Sequence, residues 1–233
     1  MISLRSLSPF LSPFLAPALL AGCTALAPAP PAPAVIGSDA FGWYRGIATR
    51  EPVYRIDGTR SLIAVTVRRG GPFARFGHDH VVASRTLTGF AAPRSGRADF
   101  QFRLDELTVD EPALRQVAKL DTVPDAEAIA GTRANMLGKV LDAERFPLVQ
   151  LRVNRIANDP ASLRLAVTLH GVTRSYDVPT RIESSSGTMT ASGQVQLLQT
   201  DFGITPMSVF GGALSVQDAL DVRFSIVARA GLR

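Results

Sequence analysis

The segment Leu163–Val178 limits the possible folds most narrowly, because apolar and polar residues alternate along it with a period of two. One face carries Leu163, Leu165, Val167 and Leu169, and the other carries Arg164, Ala166, Thr168 and His170. This period is typical of a strand with one buried face, whereas a helix repeats every 3.6 residues. Gly171 interrupts the alternation, and Tyr176 and Val178 resume it. The segment therefore predicts a β-hairpin that buries one of its faces.

The same alternation recurs in four other segments of the chain. Their apolar positions are Ile63, Val65 and Val67; Phe100, Phe102 and Leu104; Val149, Leu151 and Val153; and Leu220, Val222, Phe224, Ile226 and Ala228. The polar residues between them indicate antiparallel strands with one solvated face, since parallel strands are apolar on both faces. Many such strands predict a mostly β fold, a closed antiparallel barrel, because closure removes the edges at which sheets aggregate.

One helical insertion, at about residues 111–145, interrupts the strands. Asp110 precedes Pro112, which is a signal for the start of a helix. Apolar residues at helical spacing follow at Met136, Leu137, Val140 and Leu141. Pro147 is expected to end the helix.

The N-terminus predicts a lipoprotein signal peptide over residues 1–22. An uncharged apolar run, Leu7–Leu20, is too short to cross a bilayer and ends in Leu20-Ala21-Gly22-Cys23. This ending resembles a bacterial lipobox, in which Cys23 would carry the acyl anchor. An ordinary signal peptide with an incidental cysteine is the alternative. Cys23 is the only cysteine, so the folded domain is expected to contain neither a disulfide nor a cysteine metal site.

Residues 23–52 are interpreted as the lipidated cysteine, a tether rich in alanine and proline, and an aromatic arm. Alanine and proline dominate residues 24–35, so this part is expected to be extended and semi-rigid. Phe41, Trp43 and Tyr44 belong to the arm, which is expected to pack on the domain. The barrel domain is assigned to residues 53–233.

Three segments together resemble the YceI-like family of bacterial envelope proteins. The hairpin Leu163–Val178 resembles the centre of that family, Leu141–Pro147 (LDAERFP) its helix-to-strand junction, and Gln199–Ile204 (QTDFGI) a strand exit near the C-terminus. They occur in the family's order, and the resemblance spans roughly Val53 to Arg229. It implies a lipocalin-like barrel of eight strands covered by helical elements. It also implies an isoprenoid chain, such as a quinone tail or polyprenyl lipid, in the lumen.

The apolar face of the strands is the expected ligand site. An eight-stranded barrel is just wide enough to hold one small ligand or to be filled by its own side chains, and the residues leave both outcomes open. The resemblance favours the ligand. The predicted lumen residues are Ile63, Val65, Val67, Phe100, Phe102, Leu104, Val149, Leu151, Val153, Leu165, Val167, Val222, Phe224 and Ile226.

Histidines mark a second candidate site. His78 and His80 flank Asp79 and would project to one side of a strand, and His170 is the third histidine of the chain. All three are candidate polar groups at the pocket mouth, where His78 and His80 would bond to loop backbone or to a lipid head group. No metal site is predicted; the alternative is a metal ion held by His78, His80 and His170.

The sequence departs from the most familiar pattern of the family at one point. That pattern has a His-Ser pair early in the first long strand, where this chain has Thr59-Arg60-Ser61. The stretch Gly77-His78-Asp79-His80 therefore resembles a variant branch. No serine, acid pair or glycine-rich loop stands near the histidines in a catalytic arrangement, so the chain is not predicted to be an enzyme.

The predicted function is that of an envelope lipoprotein that binds an apolar lipid in its barrel. The expected place is the periplasmic side of the envelope, and Thr24 after Cys23 favours the outer membrane because it is not the retention residue Asp. A metal-binding envelope protein and a ligand-free, stress-related scaffold are the alternatives. The partners are the lipid and the membrane, with no cofactor required. Nucleic acid is not expected, because the net charge is only +5 and most arginines are dispersed along strands.

Overall fold

Residues 41–232 are described by a computed structural model, and most of them form antiparallel strands. The strands are β1 (Val53–Ile56), β2 (Leu62–Gly70), β3 (His80–Ser84), β4 (Thr88–Ala92), β5 (Arg97–Arg103), β6 (Thr108–Val109), β7 (Leu148–Ile156), β8 (Asp159–Leu169), β9 (Val172–Ser185), β10 (Thr188–Leu198), β11 (Ser208–Val209) and β12 (Leu214–Leu232). The α-helices are α1 (Gly42–Ile47), α2 (Pro112–Val117) and α3 (Ala126–Asn135), and a π-helical turn (Met136–Val140) extends α3. Cys23 and the tether lie outside the described residues.

Eight of the strands form a closed ring in the order β1-β4-β5-β7-β8-β9-β10-β12, with β12 pairing back to β1. The ring closes through β1, where Tyr54 pairs with Ala91 of β4 and with Ala230 of β12. Every pairing in the ring is antiparallel. The predicted mostly β, closed barrel of eight antiparallel strands is therefore confirmed.

The strands outside the ring, β2, β3 and β6, lengthen the barrel at one end. β2 continues β1 along β12, β3 pairs with β2, and β6 pairs with β3, so these strands extend the ring beyond β1, β4 and β5. Ser61 bridges the break between β1 and β2. Its buried hydroxyl donates to the carbonyl of Asp57 over 2.7 Å and accepts from the N–H of Val227 over 2.9 Å.

The helical insertion differs in detail from the prediction. It contains two α-helices, and Asp110 does not cap the first of them: Glu111 takes the N-cap position. Asp110 has a positive φ of 58°, and its carboxylate turns back towards β3 to accept from the N–H of Val81. The second helix ends in the π-helical turn, seven residues before Pro147, so this proline does not end it. The apolar residues of that turn pack against the barrel core.

The predicted hairpin is formed by β8 and β9, with Leu165 paired to Tyr176. Both turn residues have positive φ, 52° at His170 and 75° at Gly171, which matches the right-handed twist of the two strands. A side chain at Gly171 would lie 2.8 Å from Cε1 of Phe146. The turn therefore packs directly on the segment that resembled the helix-to-strand junction.

The aromatic arm lies against the outside of the barrel. Tyr44 of α1 is fully buried in a small cluster with Val53 and Ala92. The Phe41 ring meets Phe90 edge to face, with 5.4 Å between the centroids. None of the helices within residues 41–232 is both long and apolar enough to cross a membrane.

Candidate ligand cavity

The barrel encloses a cavity of about 800 Å³. All fourteen predicted lumen residues lie on its wall: Ile63, Val65, Val67, Phe100, Phe102, Leu104, Val149, Leu151, Val153, Leu165, Val167, Val222, Phe224 and Ile226. The period of two and the closed ring together direct these alternate side chains inward. Their role in binding a ligand stays a prediction.

Part of the cavity wall was not predicted from the sequence. β10 contributes Met189, Ala191, Val195 and Leu197, and the end of the helical insertion contributes Met136, Val140 and Leu141. The alternation along β10 is broken by Gly193, which pairs with Phe224 of β12. A side chain at Gly193 would lie 2.8 Å from Cζ of that ring, so the glycine makes room for Phe224. This missing side chain obscures the strand pattern.

A buried ion pair lies behind the wall at the end of the barrel that the helices cover. The carboxylate of Asp110 is fully buried, and its Oδ1 accepts from Nη1 of Arg115 over 2.5 Å and from the N–H of Val81 over 3.0 Å. Burial opposes ionisation of Asp110, but hydrogen bonds from His80, Val81 and Arg115 hold its pKa below the ordinary value. The Arg115 guanidinium is itself fixed by a 2.8 Å hydrogen bond to the carbonyl of Asp79.

His80 connects this ion pair to the cavity. Its Nδ1 lies 2.6 Å from Oδ2 of Asp110, and its Nε2 lies 3.4 Å from the hydroxyl of Thr132 on α3. His80 and Thr132 both line the cavity. The imidazole therefore spans from a buried carboxylate on one edge to the lumen on the other.

The other two histidines have different surroundings. His78 lines the cavity beside His80, with 6.1 Å between the ring centroids, while Asp79 points away and accepts from Nη1 of Arg68 over 3.0 Å. His170 is not among the residues that line the cavity. Its ring packs on Phe146 with 4.5 Å between centroids, and its Nδ1 lies 3.3 Å from the carbonyl of Phe202.

The alternative metal set is therefore not brought together. His170 lies in the β8–β9 turn, where its ring packs on Phe146 and its Nδ1 faces the carbonyl of Phe202. Within residues 41–232, no three His, Cys, Asp or Glu side chains converge in a way that could hold a metal ion.

Two adjoining loops, residues 71–77 and 208–213, form the rim of the cavity at the same end. The N–H of Phe73 donates to the carbonyl of Ala213 over 2.7 Å and so joins them. Phe76 is 65% exposed and also lines the cavity, so the cavity reaches the surface here. The Arg75 guanidinium lies 4.7 Å from the Phe76 ring centroid. This end thus offers an apolar entrance beside a small polar group, His80.

Comparison with known proteins agrees with this geometry. A model of the YceI-like domain matches residues 54–228. A solved polyisoprenoid binding domain from Saccharophagus degradans, implicated in plant cell wall breakdown, has a similar fold, with a TM-score of 0.56 and 12% identity; the match covers 78% of this chain and 100% of that one. BcnA of Burkholderia cenocepacia gives a TM-score of 0.52 at 14% identity, covering 74% of this chain and 98% of BcnA. No curated protein matches in sequence.

Proposed function

This chain belongs to the YceI-like domain family, and we propose that it binds the apolar chain of a polyisoprenoid or similar lipid inside its barrel. The observation that carries the proposal is the apolar cavity of about 800 Å³. Cavities of a few hundred to about 1,000 Å³ are typical of small-molecule sites. The similar fold of a polyisoprenoid binding domain supports the same ligand class.

The wall chemistry supports a long apolar ligand over a polar one. Each buried methylene group contributes about 0.8 kcal/mol, so a tail of several isoprene units binds without any hydrogen bond. A cavity of this size does not fit the alternative of a ligand-free scaffold, because close-packed interiors leave few voids larger than a water molecule.

A membrane anchor at Cys23 is a further part of the proposal. It is supported by the position of Cys23 after Leu20-Ala21-Gly22 and by the proline-rich segment that follows. Two or more acyl chains hold a protein firmly to a bilayer, whereas one chain is marginal. An extended tether would then keep the barrel near the periplasmic face of the membrane from which its ligand comes, with the outer membrane favoured.

A charge placed in the lumen tests lipid binding. Val167 is 4% exposed and lines the cavity, so Val167→Arg puts a guanidinium into apolar surroundings, where desolvation costs several kcal/mol. We expect this variant to lose binding of geranylgeraniol, measured by native mass spectrometry of the full chain in its Cys23→Ser form. A guanidinium that reached the mouth of the barrel would still occupy the path of the tail.

The matched control is Thr168→Arg, which introduces the same side chain one residue further on the outer face. The Thr168 hydroxyl lies there, 2.8 Å from that of Thr173. Leu165→Trp is a second test, because it fills part of the lumen with no charge and should also weaken binding. Equal binding by the wild type and by folded Val167→Arg and Leu165→Trp variants would refute a ligand in the barrel.

A further inference from the structure

The hydrogen-bond partners of Asp110 fix the protonation pattern of His80. The ionised carboxylate of Asp110 only accepts hydrogen bonds, and its Oδ2 lies 2.6 Å from Nδ1 of His80. Nδ1 must therefore carry a hydrogen and donate it. In a neutral imidazole the other nitrogen, Nε2, is then a hydrogen-bond acceptor.

The charges of the ion pair behind the wall compensate each other. Asp110 and Arg115 are fully or nearly fully buried, and their opposite charges lie 2.5 Å apart. Because they cancel, a neutral His80 leaves the whole group without net charge. The lumen side of the group is then suited to an uncharged polar ligand, since an isolated charge in apolar surroundings is strongly unfavourable.

Thr132 supplies the complementary group. Its hydroxyl lies 3.4 Å from Nε2 of His80, which is the long limit of a hydrogen bond, and both side chains line the cavity. A ligand hydroxyl next to both could donate to Nε2 and accept from Thr132. A carbonyl, ether or ester oxygen has no hydrogen to donate and would leave Nε2 with only the long contact to the Thr132 hydroxyl.

The position of His80 agrees with a head group at this end and a tail in the lumen. His80 is the first residue of β3 and pairs with Val67 of β2. Val65 and Ile63 follow along the same wall towards the interior. A chain attached to a hydroxyl at His80 would therefore run directly along the apolar wall.

We propose that His80 and Thr132 form a recognition site for the hydroxyl head of an isoprenoid lipid, with Asp110 and Arg115 as positioning residues that hold the His80 tautomer. This inference rests on the proposed function, because it assumes a lipid tail in the barrel. It assigns the ligand class as an isoprenoid that ends in a hydroxyl, either an alcohol or the reduced ring of a quinone.

The decisive variant is His80→Asn. The amide nitrogen of asparagine can take the place of Nδ1 and donate to Asp110, while no atom replaces Nε2. The probes are geranylgeraniol and its methyl ether, which share a tail and differ in the donor hydrogen. We expect wild-type protein to bind the alcohol about tenfold more tightly than the ether, as the gain or loss of one hydrogen bond would give. In His80→Asn that preference should vanish, while affinity for the ether stays unchanged.

His170→Asn is the matched control, because it makes the same change at a histidine that packs on Phe146 and does not line the cavity, and it should keep the preference. Thr132→Val, which leaves the buried ion pair intact, should weaken the preference independently. A quinol and its quinone with tails of equal length, tested in parallel, identify whether an alcohol or a reduced ring is preferred. Equal affinity of the wild type for alcohol and ether, or a preference that survives in both His80→Asn and Thr132→Val, would overturn the inference. If neither geranylgeraniol nor its methyl ether binds to the wild type, the result would instead contradict the proposed function.

Discussion

The hydroxyl of Tyr44 donates a hydrogen bond to Oδ2 of Asp99 over 2.8 Å, and this contact joins the aromatic arm to the outer face of β5. Asp99 is buried and also accepts from Nε of Arg97 and from Nε of Arg152, each over 2.6 Å. Burial, together with the adjacent Asp99, raises the pKa of the Tyr44 hydroxyl above its ordinary value. The hydroxyl therefore stays protonated and remains a donor throughout the physiological range.

Removal of that hydroxyl should destabilise the protein measurably. We expect Tyr44→Phe to lower the free energy of unfolding by about 2 kcal/mol, the range for a buried hydrogen bond to a charged group, as measured by urea denaturation. Tyr54→Phe is the control, because within residues 41–232 the Tyr54 hydroxyl makes no hydrogen bond. Equal effects of the two substitutions would contradict a structural role for the arm.

Asp99 should also contribute to acid sensitivity. Burial opposes its ionisation, but hydrogen bonds from Arg152, Arg97 and Tyr44 outweigh burial and hold its pKa below the ordinary 3.8. A carboxylate with a lowered pKa stabilises the folded state above pH 3.8, and this contribution is lost as the pH falls further, through the folded pKa. Asp99→Asn should therefore be less stable than wild type at pH 7, and the difference should narrow below about pH 4. A difference that stays constant from pH 7 to pH 3 would exclude this linkage.

Two glycines in turns allow the energetic cost of close packing to be separated from the cost of a left-handed backbone. Gly171 and Gly187 both have φ of +75°, but a Cβ would lie 2.8 Å from Phe146 at the first and 3.8 Å from Ala230 at the second. Gly187→Ala should cost about 1 kcal/mol of unfolding free energy for the left-handed backbone alone. Gly171→Ala adds the collision with the Phe146 ring and should cost clearly more. Similar losses in thermal or urea unfolding would mean that the ring moves away freely.

The anchor can be tested by cell fractionation. Cys23→Ser should shift the protein from the membrane pellet to the soluble fraction, because no thiol remains to be acylated. Thr24→Ser, which keeps the cysteine, should leave the distribution unchanged. A Cys23→Ser protein that still sediments with membranes would show that the anchor lies elsewhere.

The lumen could be predicted from the sequence because it depends on a local rule. Alternation along a strand assigns each side chain to one face, and closure of the barrel turns one face inward for every strand at once. Val65 and Phe224 could thus be placed on the same wall without knowledge of which strands are neighbours. The strand breaks were not predictable in this way, since Ser61 bridges one of them by bonding to Val227, 166 residues away.

The polar site could be predicted only in part, because its contacts also join residues that are far apart in the sequence. His80 stood out because histidine is rare in this chain, but its partner Asp110 is 30 residues away and carried a helix-start signal. Its positive φ, which turns the carboxylate to β3, is set by tertiary contacts. His170 was placed with the other histidines on residue type alone, and the geometry of its turn separates it from them.

The barrel can close only after β12, the last strand of the ring in the chain, has been made. It pairs with β10 on one side and with both β2 and β1 on the other, and it follows every other strand of the ring in the chain. As the chain emerges from a ribosome or a translocation channel, the earlier strands can form only an open, curved sheet with two free margins. The ring closes only when β12 pairs with β10 and β1, so the walled cavity, with its opening at Phe76, exists only in the finished protein.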